Sequence, residues 1–374
     1  MYNISTLENS QETGKKYLIV IIKVFVTLLV LLIIALLLFN FNKTKDIEKQ
    51  AVVQATIPEM SDSLRNGDVD AAIQAGEALL ELNTNSESDI SALVYLARAY
   101  LQDGNESFSE ELSAEKAFAV IERIIAIDPK LAEAYRLRGY AHEITNNFEA
   151  AVVDYNTALE FDATYALVYA HLGHVESLLG NKDEAYDYFD KALSLDATIE
   201  LAQLGIAYIL YEEREFDDVL DILTKIKLNA QDDITLSEAE MLEGLIALEQ
   251  GDYLDAEVKL QKSVATYSED AQAWAALSTV YVALIVTSND FETALATYER
   301  DLSASIESAL ALHPQNTYAK ANKGNLYALK DDCEFALDYY EEAKVSIFED
   351  ITLGVNEKRL ANEYITNAIN NCSQ

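Results

Sequence analysis

Residues 132–165 read AEAYRLRGYAHEITNNFEAAVVDYNTALEFDATY, and residues 166–199 read ALVYAHLGHVESLLGNKDEAYDYFDKALSLDATI, a second copy at a spacing of 34 residues. In register, Tyr135 answers to Tyr169, Gly139 to Gly173, Ala151 to Ala185, Tyr155 to Phe189 and Ala158 to Ala192. A period of this length, carried by small and aromatic residues at fixed places, marks a chain built from stacked supersecondary units. Small residues belong where two antiparallel helices of one unit approach closest, and the large rings fill the space left between one hairpin and the next. A single hairpin leaves an apolar face wet, so stability comes from stacking neighbours.

Weaker copies continue the register in both directions. Toward the C-terminus, Glu200–Asp233 keeps Ala207, Phe216 and Leu223, and Ser237–Asp270 keeps Gly244, Gly251, Tyr253 and Ala256. Ala271–Asn316 holds Trp274, Leu277, Tyr281, Ala294, Tyr298 and Ala309, with about a dozen extra residues that lengthen both of its helices. Thr317–Asp350 returns to the ordinary length with Gly324, Tyr327, Ala336, Tyr340 and Ala343. Toward the N-terminus, Ile90–Lys130 carries an insertion near Asn105–Leu112, and Val53–Asn85 keeps the pattern in its second half. In Ile351–Asn371 the residues Leu353, Leu360, Tyr364, Ile365 and Ile369 recur at helical spacing, opposite Lys358, Arg359 and Asn362, which suits a cap with a polar outer face.

These positions resemble the tetratricopeptide repeat family, whose pattern places an aromatic at position 4, Leu-Gly at 7 and 8, Ala at 20, an aromatic at 24 and Ala at 27. The resemblance implies an all-α, right-handed superhelical TPR solenoid of about eight helical hairpins with a C-terminal capping helix. The expected division is an N-terminal tail at 1–16, a transmembrane helix at 17–41, a juxtamembrane linker at 42–52, the solenoid at 53–350 and the cap with its tail at 351–374.

Leu18 to Phe39 is apolar apart from Lys23 and Thr27, and as a helix at about 1.5 Å per residue it spans roughly 33 Å, enough for a bilayer core. A cleaved signal peptide is the rival, but its apolar run is shorter, and residues 39–43 offer no small-residue cleavage site. Lysines flank the span on both sides, Lys15 and Lys16 before it and Lys43, Lys45 and Lys49 after it, so the positive-inside rule does not choose an orientation. An uncleaved N-terminal anchor ahead of a large domain favours export of that domain, which places the chain in a bacterial cell membrane with an extracytoplasmic solenoid.

The chain has 27 basic and 64 acidic residues, a net charge of −37. Residues 1–50 hold six lysines and four acids, so the remainder holds 21 basic and 60 acidic residues and carries −39. Such a surface repels nucleic acid and anionic lipid, and it favours basic partners. Most of these charges are expected on solvated helix faces.

No nucleotide-binding glycine loop, nucleophile elbow, paired-cysteine zinc pattern or His-Glu-x-x-His helix occurs in the sequence. The reading is therefore of a non-enzyme with no cofactor and no metal. His171 and His174 lie three apart on one helix with His142 one hairpin earlier, but a third ligand at recognisable spacing is lacking. His142 is expected in the core, His171 at an edge and His174 in the groove. If the cap folds back antiparallel on the helix before it, Cys372 returns near Cys333, and a disulfide forms if the α-carbons fall within about 7 Å. That pairing needs an oxidising compartment, and a coincidental placement of the two cysteines stays open.

In the resembling family, positions 2, 5, 9, 12 and 13 of each first helix line a concave groove that holds a peptide or a protein segment. This assigns Arg136, Tyr140, Leu167, His174, Leu201, Leu204, Tyr208 and Tyr211 to a protein-binding groove. Apolar residues on an inner wall either meet a partner or are buried by tight curvature, and both readings stand at this stage. The dicarboxylate clamp of chaperone-binding members is not matched, since position 5 is Arg136, Ala170, Leu204 and Ala321 in four hairpins and only Asn322 and Asn325 are reminiscent of it. The expected function is a membrane-tethered scaffold that recruits protein partners, peptide segments or a multiprotein membrane complex, with no nucleic acid. A chaperone or secretion and assembly factor holding apolar client segments is the first alternative, and a homo-oligomeric spacer is the second.

Overall fold

A computed structural model describes the backbone of residues 4–82, 89–106, 110–230, 232–350, 353 and 355–372, and the side chains of residues 31–80, 89–102, 113–230, 232–350, 353 and 357–372. Among the described residues there are 17 helices and no strand. The chain divides into two compact units, Met1–Leu137 and Arg138–Gln374.

The first unit opens with α1 (Ile4–Arg65), a single 62-residue helix. Leu31, Leu32, Ile34, Leu36, Leu37, Leu38 and Phe39 project from it with no protein cover, so this stretch is apolar and exposed on every face. Among the described residues no helix is long and apolar enough to cross a membrane, and residues 17–30 of the expected span lie outside the described side chains. The segment 42–52, which the sequence sets apart as a linker, continues α1 without a break. It contains no glycine or proline, and the Thr44 hydroxyl donates back to the Asn40 carbonyl at 2.9 Å, which satisfies the side chain locally. Among the described side chains of α1, burial begins at Val53 and Met60, where the helix packs on α2 (Val69–Leu82) and α3 (Ile90–Glu106). Next, α4 (Glu110–Ile127) pairs with α3. Of the insertion expected near Asn105–Leu112, residues 105–106 end α3 and 110–112 open α4, while 107–109 lie outside the described residues.

The division between the units falls within α5 (Ala132–Ile144). The second unit continues through α6 (Phe148–Phe161), α7 (Ala166–Leu178), α8 (Lys182–Leu195), α9 (Glu200–Glu212), α10 (Phe216–Asn229), α11 (Asp233–Glu249) and α12 (Tyr253–Thr266). It ends with α13 (Ala271–Thr287), α14 (Phe291–Leu312), α15 (Thr317–Ala328), α16 (Cys333–Glu349) and α17 (Val355–Cys372). Helices pair as α7 with α8, α9 with α10, α11 with α12, α13 with α14 and α15 with α16. First helices also touch one another, α7 on α9, α9 on α11, α11 on α13, α13 on α15 and α15 on α17, so they form one continuous wall. The extra residues of the Ala271–Asn316 stretch go into helix length, with 17 residues in α13 and 22 in α14 against 13 and 14 in α7 and α8.

The repeated spacing of small and large residues has a direct steric reason. A Cβ on Gly173 would sit 2.7 Å from Phe189 Cδ1 and 3.0 Å from the Ala185 carbonyl oxygen, closer than atoms tolerate. Gly139 stands in the same relation to Tyr155, with 2.6 Å to its Cε1. Each glycine is thus the seat for a ring from the opposite helix, and both rings are fully buried. Between first and second helices the chain reverses through a residue of positive φ, Asn146 at 57°, Gly180 at 82° and Arg214 at 66°, again 34 residues apart. The Asn147, Asn181 and Glu215 amides donate to the His142, Glu176 and Leu210 carbonyls at 2.8, 2.9 and 3.0 Å, the six-to-one bond that closes a helix C-terminus.

The end of the second unit is covered by α17, whose Ala361 and Ile365 pack on Tyr340, Ala343 and Ile347. Cys333, the first residue of α16, and Cys372, the last of α17, are joined by a disulfide with their α-carbons 5.4 Å apart.

Two outcomes follow from this packing. Gly173→Ala regains about 1 kcal/mol of helix propensity but overpacks the Phe189 ring at a cost of about 1–3 kcal/mol, so its urea midpoint falls below that of the parent; an unchanged midpoint would mean the ring moves aside freely. Cys372→Ser loosens α17 by about 2–4 kcal/mol, seen as faster tryptic cleavage at Lys358 and Arg359, and equal cleavage rates would show that the cross-link does not hold the cap.

Candidate protein-binding groove

The wall of first helices collects most of the residues that the sequence assigns to a groove. Arg136 belongs to the first unit, where it is buried and forked on Glu133 with Nε 2.8 Å from Oε2 and a terminal nitrogen 2.9 Å from Oε1. Arg98 shares that carboxylate through its Nε at 3.1 Å. Arg136 is therefore committed to an internal ion-pair network.

In the second unit, Tyr140, Leu167, His174, Leu201, Tyr208 and Tyr211 are half-buried on α5, α7 and α9, whereas Leu204 is buried in the core with Val219, Leu223 and Ile226. Tyr140 leans on His171 with ring centroids 5.3 Å apart, and His171 stacks on Tyr155 at 5.3 Å with planes 12° apart. The expectation of His171 at an edge is corrected by this arrangement: two tyrosine rings enclose it, and it is buried. His142 is half-buried, with Nε2 3.8 Å from Asp154, and burial holds its imidazole below the ordinary value.

Glu143 is the hub of this region. Its carboxylate is buried, meets His174 Nδ1 at 2.6 Å and His171 Nδ1 at 3.3 Å, and accepts a short hydrogen bond from the Tyr155 hydroxyl. Burial pushes the Glu143 carboxyl up, but His171 and His174 outweigh it and hold the group well below the usual carboxylate range. Burial pushes His174 down, and its hydrogen bond to Glu143, with the charges of Glu143 and Glu238, outweighs that and raises it.

Further along the wall lies a patch that the sequence reading did not single out. Glu238 on α11 and Tyr318 on α15 occupy the second position of their hairpins, as Leu167 and Leu201 do of theirs, so the same register applied to these two hairpins would have found them. Asp270 is the N-cap of α13, accepting from the Gln272 and Ala273 amides at 2.8 and 3.1 Å. Burial and the charge of Asp270 raise Glu238 to about 7. Burial raises Tyr208 well above its ordinary value, with Glu238, Asp270 and Glu357 adding to the shift. Tyr318 is raised to about 12 by burial and by Glu357. Tyr208 packs against both neighbouring apolar clusters, and Tyr211 lies 6.0 Å from Phe216. Among the described residues the hydroxyls of Tyr208 and Tyr211 make no hydrogen bond, and Glu238 makes neither hydrogen bond nor salt bridge.

Among the described residues no group of three or more His, Cys, Asp or Glu side chains could hold a metal ion. A wall of half-buried rings and carboxylates can offer apolar area, hydroxyl groups and negative charge to an elongated ligand.

Comparison with known proteins agrees with this architecture. Residues 132–165 and 166–199 each match the family model described as tetratricopeptide repeat, which supports the tetratricopeptide reading of the chain. No match was found among curated proteins. Among solved structures, the anaphase-promoting-complex hetero-tetramer Cut9-Hcn1 aligns over 84% of this chain and 56% of its own at 13% identity, with a TM-score of 0.60. The MamA protein aligns over 46% of this chain and 89% of its own at 22% identity with a TM-score of 0.34. PilW, a type IV pilus biogenesis factor, aligns over 59% and 97% at 21% identity with a TM-score of 0.44. At these identities the likeness to Cut9-Hcn1 is one of fold alone.

The Glu143–His174 pair makes stability depend on pH. The depressed Glu143 contributes above about pH 4.5 and is lost as pH falls through its lowered value, and the raised His174 contributes below about pH 6.5 and is lost as pH rises through its raised value. The urea midpoint of His174→Gln should therefore lie furthest below that of the parent near pH 6 and approach it at pH 8.5. A difference that grows toward alkaline pH would contradict the pairing.

Proposed function

We propose that this protein is a membrane-tethered scaffold whose wall of first helices binds segments of partner proteins. The observation that carries the reading is the pair Tyr208 and Tyr211, half-buried on the wall with hydroxyls that no described residue engages. Aromatic side chains with one apolar side and one free polar tip suit a protein contact, because burial of the ring and pairing of the hydroxyl then come together. The tetratricopeptide units at 132–199 support a role in protein–protein interaction, by analogy of fold.

The tether is α1. A helix that is apolar and exposed all round at residues 31–39 matches a lipid environment better than water. Joined to the apolar residues before it in the sequence, it is long enough for one crossing. The Cys333–Cys372 disulfide favours an oxidising compartment and hence export of the repeats from the cytoplasm.

Intact tagged chain purified from solubilised membranes should recover a defined set of proteins, and Tyr208→Ala combined with Tyr211→Ala should lose that same set while keeping helical content. Unchanged recovery would move the binding face away from this wall. Alkaline carbonate extraction tests the tether: the chain stays in the membrane pellet, and release into the supernatant would contradict the anchor.

A further inference from the structure

We propose that residues 40–65 of α1 form a rigid stalk that fixes the height and the facing of the first unit above the membrane. The inference rests on α1 being the tether, and it adds that the tether has no swivel.

A polar run between an anchor and a folded unit swivels when it is rich in glycine and serine. Here residues 31–57 contain neither glycine, serine nor proline, and α1 runs unbroken from its exposed apolar stretch to Arg65. The uncovered segment 40–52 supports its own helix. Lys43 and Asp46, Lys45 and Glu48, and Asp46 and Lys49 are opposite charges three residues apart, a spacing that makes side chains neighbours on a helix surface. The Lys45 ammonium lies 4.7 Å from the centre of the Phe41 ring, one turn away. The Thr44 and Thr56 hydroxyls donate to the Asn40 and Val52 carbonyls at 2.9 and 3.0 Å.

The far end of the stalk is a structural part of the first unit. Val53 and Met60 are buried against α2 and α3, and a Cβ on Gly76 of α2 would lie 2.9 Å from Met60 Cε and 2.7 Å from Leu96 Cδ1 of α3. The helix that leaves the apolar stretch is therefore the helix on which α2 and α3 pack, with no joint between. Pro58, the proline inside α1, stands between Val53 and Met60, where the neighbouring helices hold the backbone. Such a stalk selects partners by geometry. Residues 40–52 rise about 20 Å as a helix, so the first unit is presented to segments of other membrane proteins that stand near that height, and its effective concentration toward targets elsewhere falls away.

A coil of the same residues would also span about 20 Å on average but swing out to about 40 Å, so the spread of distances tests the stalk better than their mean. Nitroxides at Asn40→Cys and Ala78→Cys, both exposed positions, report that spread by double electron–electron resonance. The full chain is reconstituted into phosphatidylcholine nanodiscs, and the native cysteines, joined to each other, stay unlabelled. One narrow distance is expected. Inserting the helix-forming heptad Glu-Ala-Ala-Ala-Lys-Glu-Ala after Lys45 should lengthen it by about 10 Å and restore the facing to within about 20°. Replacing residues 45–48 with Gly-Ser-Gly-Ser should at least about double its width. A second pair, Gln54→Cys with Glu115→Cys, spans the packed part of the unit and keeps its distance in every form, which shows the unit itself intact. A parent distribution as broad as that of the glycine-serine variant overturns the stalk, as does a heptad insertion that leaves the mean unchanged. If the chain stays in the membrane pellet through carbonate extraction yet gives the broad distribution, the tether stands and the stalk is ruled out, whereas release into the supernatant removes both.

Discussion

Everything in the second unit depends on how closely two helices of a hairpin approach. That distance is fixed where Gly139 and Gly173 have no side chain and where Tyr155 and Phe189 lie flat against them. The ring of one helix fills the hole left in the other, at the density of a protein interior. Repeated along the chain, this contact sets the spacing of first helices, and the spacing of first helices makes a wall. The wall exists because each hairpin has an apolar face that only its neighbour can cover.

The pattern was legible in the sequence because steric constraint leaves little choice. Glycine, alanine and a ring at fixed separations have few alternative explanations, and the helices fall where the register puts them. Turns were less legible. Gly180 announces its positive φ, but Asn146 and Arg214 adopt the same conformation without glycine, since the capping hydrogen bonds and the packing of the flanking helices outweigh a local steric cost.

The composition of the wall was legible in part for a different reason. Position in the repeat identifies Tyr208, Tyr211 and His174, but it cannot tell a wall residue from a core residue when both are apolar, and Leu204 is buried with Val219 and Leu223. Nor can it see long-range pairing. Arg136 is held by Glu133, and Glu143 on α5 gathers His171 and His174 from α7 and Tyr155 from α6. Such facts depend on which charges the fold brings together, and in a chain with 64 acidic residues the composition does not distinguish the matched from the unmatched.

Tether and wall serve one end if partners are gathered at a membrane. In the proposed role, an anchor would fix the chain to a surface and so raise the effective concentration of the wall toward anything sharing that surface. The central claim is that partners meet the wall and not the outer helices. Photo-crosslinking from a benzophenone amino acid placed at Tyr208, compared with one at the exposed Val258 of α12, tests this most directly in intact membranes. Discrete adducts from position 208 and none from 258 are predicted, and adducts from 258 alone would contradict the account.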